Sequence, residues 1–205
     1  MSTGEFADHL PGQLGSPRRN GRLLKFGGGP PNYLQNALKA VAEPFKGNTT
    51  DGTAVSGLFP IQATGVSTQT IREAAEAFLG SLNDEQRARA LFPVDAVEWR
   101  MWSNIHRTIM RHGMPLCEMS DAQLESAFAL LRESFSDQGF ATARDIMRLN
   151  ETVMEMTGKV DDYGDDLYWL SIMGTPSSLE PWGWQLDGHH LNINYFVLGD
   201  QAVMT

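Results

Sequence analysis

The feature that most constrains this chain is a change of hydrophobic period near residue 160. Before it, apolar residues recur every three or four positions; after it, they alternate. A helix brings side chains back to one face every 3.6 residues and a strand every 2, so the two halves must be built from different elements. On the helical side, Ile71, Ala74, Ala75, Phe78 and Leu82 form one stripe, and Asn83 is placed to cap the short segment DEQRARAL. Ser120 with Gln123 fits a capping box, followed at helical spacing by Leu124, Ala127, Phe128, Leu131 and Phe135. A further helix is expected over about 140–157, with Ile146, Leu149, Val153 and Met156 as its buried stripe and Gly158 as its left-handed stop. The two helices joined near SDQG are expected to form an antiparallel pair. The intervening FPVDAVEWRMW is mixed, with a strand as one reading.

On the strand side, DLYWLSIMG, PWGWQL, HHLNINYFVL and QAVMT are predicted strands, with Asp187-Gly188 and Gly199-Asp200 as two-residue hairpin turns. The fold class is therefore α+β: a helical cluster at about 67–157, then an antiparallel meander at about 166–205. Residues 1–30, rich in Gly, Pro, Ser and Arg without a sustained period, read as a flexible arm, and 31–205 as a single α+β domain. A short helix is expected near 32–44, ended by Pro44, and mostly irregular structure over 46–66. The run FGGGPP at 26–31 lacks the spacing of a phosphate loop and reads as a linker. With Gly199-Asp200 as the turn, Asn194 faces Thr205 and the sheet stops in mid-ladder. An exposed apolar edge of that kind is one that most proteins cover, so further sequence downstream is the expectation, and the edge can also pair with another chain.

Charge and composition exclude several classes. The 205 residues carry a formal net charge of −9. Arg18, Arg19, Arg22 and Lys25 against Glu5 and Asp8 give +2 for residues 1–30, which leaves −11 on the remainder. An acidic body repels phosphate backbones, so no nucleic-acid partner is expected. No apolar run is long enough to span a membrane, and the N-terminus lacks the apolar stretch of a signal peptide. One cysteine, Cys117, rules out an internal disulfide and fits a reducing, cytoplasmic setting.

The candidate site lies in the alternating half. A turn at Asp187-Gly188 pairs Leu186 with His189, Gln185 with His190, Trp184 with Leu191 and Gly183 with Asn192. One face then carries Trp182, Trp184, Leu186, His189, Leu191, Ile193 and Tyr195, which is a core face. The other carries Gln185, His190, Asn192 and Asn194, with Gly183 leaving space opposite Asn192. Asparagine is disfavoured in strands, so a row of amides and an imidazole must face water or be hydrogen-bonded. A solvated sheet face and a pocket floor with fixed donors and acceptors are both open at this point. In the second reading His190 is the acid–base candidate and Trp182, Trp184, Gln185, Asn192 and Asn194 are the ligand-binding candidates.

Other motifs are weaker. His189 and His190 point to opposite faces and make a poor metal pair. His106 and His112, six positions apart on a helix, sit about 120° apart. Cys117 precedes a helix cap but has no assigned base. The run DDYGDD at 161–166 lacks the alternating spacing of a calcium loop. No metal ligand set and no cofactor can be named.

Three blocks carry a resemblance: AFLGSLNDEQRARALFP, HGMPLCEMSDAQLESAFALLRESFSDQGFATARDIMRLNE, and GTPSSLEPWGWQLDGHHLNINYFV, with PWGWQLDGHHLNIN at 181–194 the most specific. From about residue 70 to the end, the chain resembles the bacterial and fungal family known as domain of unknown function 3500. The resemblance implies an α+β fold and a longer protein with a second half; it implies no catalytic residues. Three functions remain as expectations. The first is a small-molecule enzyme or binding site on the sheet around His190. The second is a non-catalytic interaction domain with a wet polar face. The third is a metal-dependent enzyme completed by histidines from elsewhere.

Overall fold

The structure is a computed structural model, and it describes residues 36, 39–43, 51, 53, 55–57, 63, 65–103 and 112–205. The arm at 1–30, most of the helix expected at 32–44, and His106 lie outside the described residues; residues 39–42 are helical.

Helices form where the period of 3.6 predicts them. α1 spans Gln69–Ser81 and buries Ile71, Ala75, Phe78 and Leu79. α2 spans Asp84–Ala90; the Asn83 side chain accepts from the Gln86 backbone N–H while the Gln86 side chain reaches back to Asn83. α3, Asp121–Ser134, begins with the same reciprocal cap made by Ser120 and Gln123. α4, Asp137–Thr157, is capped by Ser136 and stops at Gly158, whose φ of 67° is left-handed.

Among the described residues, six strands form one sheet in the order β1-β3-β4-β5-β6: β1 Leu91–Phe92, β3 Tyr168–Met173, β4 Trp182–Gly188, β5 Leu191–Leu198 and β6 Gln201–Met204. β2, Met114–Pro115, pairs with β3 outside that path. β3 to β6 form the expected antiparallel meander, while β1 adds a short parallel pairing to β3. The segment after β1 is a 3-10 turn at Val97–Arg100 rather than a continued strand.

One face of the sheet meets the helices. Tyr168, Leu170, Ile172, Trp182, Trp184, Leu186, Ile193, Tyr195 and Val197 join buried residues of α1, α3 and α4 in a single core. Trp184 sits at its centre, stacked on Tyr195 at 5.4 Å between centroids, edge-on to Phe135, and donating from Nε1 to Ser134 Oγ at 3.1 Å. The Thr68 hydroxyl donates to the Gly199 carbonyl at 2.6 Å and ties the start of α1 to the β5–β6 turn.

α3 packs mainly on α1, and it meets α4 as the expected antiparallel pair, with Arg132 over the Phe140 ring at 4.9 Å and Arg144 over the Phe128 ring at 4.1 Å. One sequence expectation is corrected. The buried stripe of α4 is Ala143, Met147 and Asn150, whereas Leu149 and Met156 are 63% and 82% exposed. Asn150 explains the rotation. Its Nδ2 donates to the Gly164 carbonyl at 2.7 Å and its Oδ1 meets His189 Nδ1 at 2.9 Å, so a polar residue turns inward to bridge two turns. Met147→Ala is therefore expected to destabilise the protein by about 2–5 kcal/mol, as large-to-small changes in cores do. Met156→Ala should stay within about 0.5 kcal/mol, as surface changes do. Denaturant unfolding of both variants measures this, and equal costs would contradict the inward face described.

Candidate functional site

The second sheet face carries Trp169, Ser171 and Met173 from β3, Gly183, Gln185 and Asp187 from β4, Asn192, Asn194 and Phe196 from β5, and Val203 from β6. Thr205 continues the β6 line through backbone bonds of 2.9 and 3.0 Å to Asn194, as the Gly199-Asp200 turn predicts.

The β4–β5 turn differs from the expectation. Its two central residues are His189 and His190, with Gly188 opposite Leu191 and Gln185 opposite Asn194. The turn moves by two residues and each cross-strand partner by four, and an even shift leaves every strand side chain on its face. Trp182, Trp184 and Leu186 still face the core, and Gln185, Asn192 and Asn194 still share the other side. His190 does not stand on the polar face; it is an exposed turn residue with a φ of 62°. Asp187 and Gly188 are held in the strand for separate reasons. The Asp187 carboxylate accepts the Ser103 backbone N–H at 3.2 Å and a hydrogen bond from Asn192 Nδ2. Gly188 lies under the Tyr168 ring, so close that a Cβ would fall 2.1 Å from a ring carbon.

The polar face is neither open nor wet along β4. Residues 94–103 form a strap across it. Gln185 Nε2 donates to the Trp99 carbonyl at 3.3 Å, and Trp99 Nε1 donates to the Val94 carbonyl at 2.8 Å. The far side of the strap is tied by Arg100 to the carbonyls of Ala40 and Glu43 at 3.1 and 2.9 Å. Gln185 and Asp187 are each 1% exposed. Gly183 is what lets the Trp99 ring approach the sheet: a Cβ there would sit 2.8 Å from a carbon of that ring and would clash with the Tyr195 carbonyl.

Where the strap ends against β5 and β6, a cleft of about 350 Å³ remains, lined by Val94, Trp99, Asn194, Phe196, Val203 and Thr205. Gln185 Nε2 also donates to Asn194 Oδ1 at 2.5 Å, so the cleft floor rests on the buried amide beneath it. Of the sequence candidates, the structure brings Gln185, Asn192 and Asn194 together and places Asn194 in the cleft wall. Trp182 and Trp184 are fully buried on the opposite, helix-covered face. Sequence reading missed Trp99, Phe196 and Val94; the space noted at Gly183 was the one signal that a bulky residue would lie over it.

His189 lies away from this cleft. Asn150 offers its Oδ1 because its Nδ2 is engaged by Gly164, so His189 Nδ1 carries the proton in their bond. The Tyr168 hydroxyl donates to the His189 carbonyl at 2.9 Å. His112 is buried edge-on to Phe92. Among the described residues, no group of three or more His, Cys, Asp or Glu is arranged to hold a metal, and no helix is long and apolar enough to cross a membrane.

Fold and site together define an α+β protein with one sheet face closed by helices and the other by a strap over a small cleft. A family model described as "Protein of unknown function (DUF3500)" matches residues 64–205, and the chain belongs to that family. No curated protein and no solved structure matches it.

Two expectations follow. Gly183→Ala should destabilise the protein by about 1–3 kcal/mol, as overpacking does, and should change the Trp99 environment seen by fluorescence or indole NMR; an unchanged signal would contradict the close approach. Burial raises the Tyr195 phenol above its ordinary pKa of 10.0. The unfolded chain then loses this proton first, so the contribution is intact below pH 10 and is lost as pH rises through the folded value. Tyr195→Phe should make the fall in stability above pH 10 shallower, measured by the denaturant midpoint; an identical slope would refute it.

Proposed function

We propose that this chain is a small-molecule binding domain and that its site is the cleft between the 94–99 segment and β5–β6. The observation that carries this reading is a shallow, open, largely apolar depression with Asn194 in its wall, next to the other hydrogen-bonded amides of the sheet face. Small-ligand sites have that make-up, with apolar walls and a few fixed polar groups. Trp99, Phe196, Val94 and Val203 supply the walls. Asn194 gives its Oδ1 to Gln185, so its Nδ2 group is the donor it can offer a ligand. None of the six lining residues has an ionisable side chain, which supports binding over acid–base catalysis at this place. His190, outside the cleft, is not assigned a part in it.

A second reading is an interaction through β6, favoured by its position as the edge strand and by Val203 and Met204 at 42% and 53% exposure. A single buried cysteine supports a cytoplasmic setting for either reading.

The test is a ligand-observed NMR screen with monocyclic aromatic fragments, repeated on Val203→Trp. The substituted indole would fill the cleft from an exposed edge position without disturbing the core. Fragments that shift the Trp99 indole should bind the wild-type chain and lose at least about tenfold in affinity to the variant, since filling removes most of the apolar contact. Fragments that bind both chains equally would overturn the cleft, and variant chains that associate less than wild type would support the edge reading.

A further inference from the structure

We propose that the cleft selects ligands whose head group is an N–H donor, specifically an ammonium group on a small apolar body; this rests on the binding reading above. Two buried side-chain oxygens on this face, Gln185 Oε1 and Asn192 Oδ1, have no hydrogen-bond partner among the described residues. Their orientation is fixed by their neighbours. The Trp99 carbonyl can only accept, so Gln185 must turn its Nε2 toward it and its Oε1 away. Asn192 must likewise turn Nδ2 toward the Asp187 carboxylate, which leaves Oδ1 on the other side. Flipping either amide would set oxygen against oxygen.

The two amides occupy neighbouring places on the same sheet face: Gln185 pairs with Asn194, and the next same-face pair is Asp187 with Asn192. These positions are about 7 Å apart along the strand, within reach of one small head group and its side chains. The cluster therefore holds acceptors in excess and a carboxylate beside them. A buried acceptor without a donor destabilises a protein, and a ligand that brings N–H groups removes that cost on binding. An ammonium group has three donors and no acceptor, enough to serve both oxygens and opposite in sign to the carboxylate beside them. An anionic head group could take the Asn194 Nδ2 donor at the cleft wall, but would stand against the two amide oxygens and the Asp187 carboxylate. Asn194 lines the cleft and is bonded to Gln185 Nε2, so it links the cleft to this cluster; on this proposal its side chain swings aside when the head group seats.

The experiment titrates the full 205-residue chain, ¹⁵N-labelled, with benzylamine, ethylbenzene and benzoate at physiological salt, following the Trp99 indole and the side-chain amides of Gln185, Asn192 and Asn194. Benzylamine should bind at least about tenfold more tightly than ethylbenzene, the factor expected from one charge-assisted hydrogen bond, and should shift the amides. Benzoate should not compete. Gln185→Met, which keeps length and the chain's charge, should bring benzylamine to within about twofold of ethylbenzene when both are measured on that variant. If that buried substitution prevents folding, Asn192→Ser at a half-buried position serves in its place. Equal binding of benzylamine and ethylbenzene to the wild-type chain, with amide signals showing water contact only, would overturn the ammonium inference and leave the apolar cleft standing. No binding of any probe would overturn both. Benzylamine preference that survives both substitutions would show attraction to the acidic surface and overturn the assignment to these oxygens.

Discussion

The structure depends on one strand being buried on both faces. Every residue of β4 from Trp182 to Gly188 is buried. On the helix side this is ordinary hydrophobic burial, with two tryptophans and a leucine removed from water at roughly 25 cal/mol per Å². On the strap side the same strand places an amide and a carboxylate out of water, which is unfavourable unless each is hydrogen-bonded. The strap meets that requirement with backbone groups: the Trp99 carbonyl accepts from Gln185, and the Ser103 N–H donates to Asp187. Backbone groups of an irregular segment are suited to the task because they have no ladder partner of their own. Strap and polar face are thus each the other's hydrogen-bond partner, and neither would be stable in this form alone.

Much of this was legible in the sequence, and what was not has definite causes. The change of period separated helices from strands, and the capping residues Asn83, Ser120 and Gly158 placed helix ends because caps are local chemistry. The faces of the β4–β5 hairpin were legible even though its turn was misplaced, since parity survives an even shift. The turn itself was not, because Asp-Gly is a favoured turn pair on local grounds, whereas Asp187 is held in the strand by Ser103, 84 residues away. His190 accepts the left-handed conformation that a glycine would usually take. The inward face of α4 was hidden for a related reason. Counting apolar residues selects Leu149 and Met156, but Asn150 is drawn in by Gly164 and His189, a long-range polar demand with no hydrophobic signature.

The cleft is the least legible feature because three separate segments make it. Val94 and Trp99 come from an irregular stretch, Asn194 and Phe196 from β5, and Val203 and Thr205 from the edge strand. No spacing rule links them. What the sequence does contain is the allowance for their meeting: Gly183, a residue of low strand preference in the middle of a strand, marks the point where the Trp99 ring reaches the sheet. A glycine inside an alternating strand is better read as the footprint of something lying on it than as a defect in the strand.

The polar pattern on that face then has a consequence for function. If amides on β4 and β5 served only to hold the strap, donors and acceptors would be expected to balance, as they do around Asn150, where each side-chain group has its counterpart. They do not balance under the strap. The Trp99 carbonyl and the Asp187 carboxylate fix the amide nitrogens, and among the described residues the two oxygens have no partner. Replacing the amides by apolar residues of the same shape would remove that cost. On the binding reading proposed above, the amides are kept for what they can hold as well as for what they support, and the small cleft beside them is the approach a ligand would use.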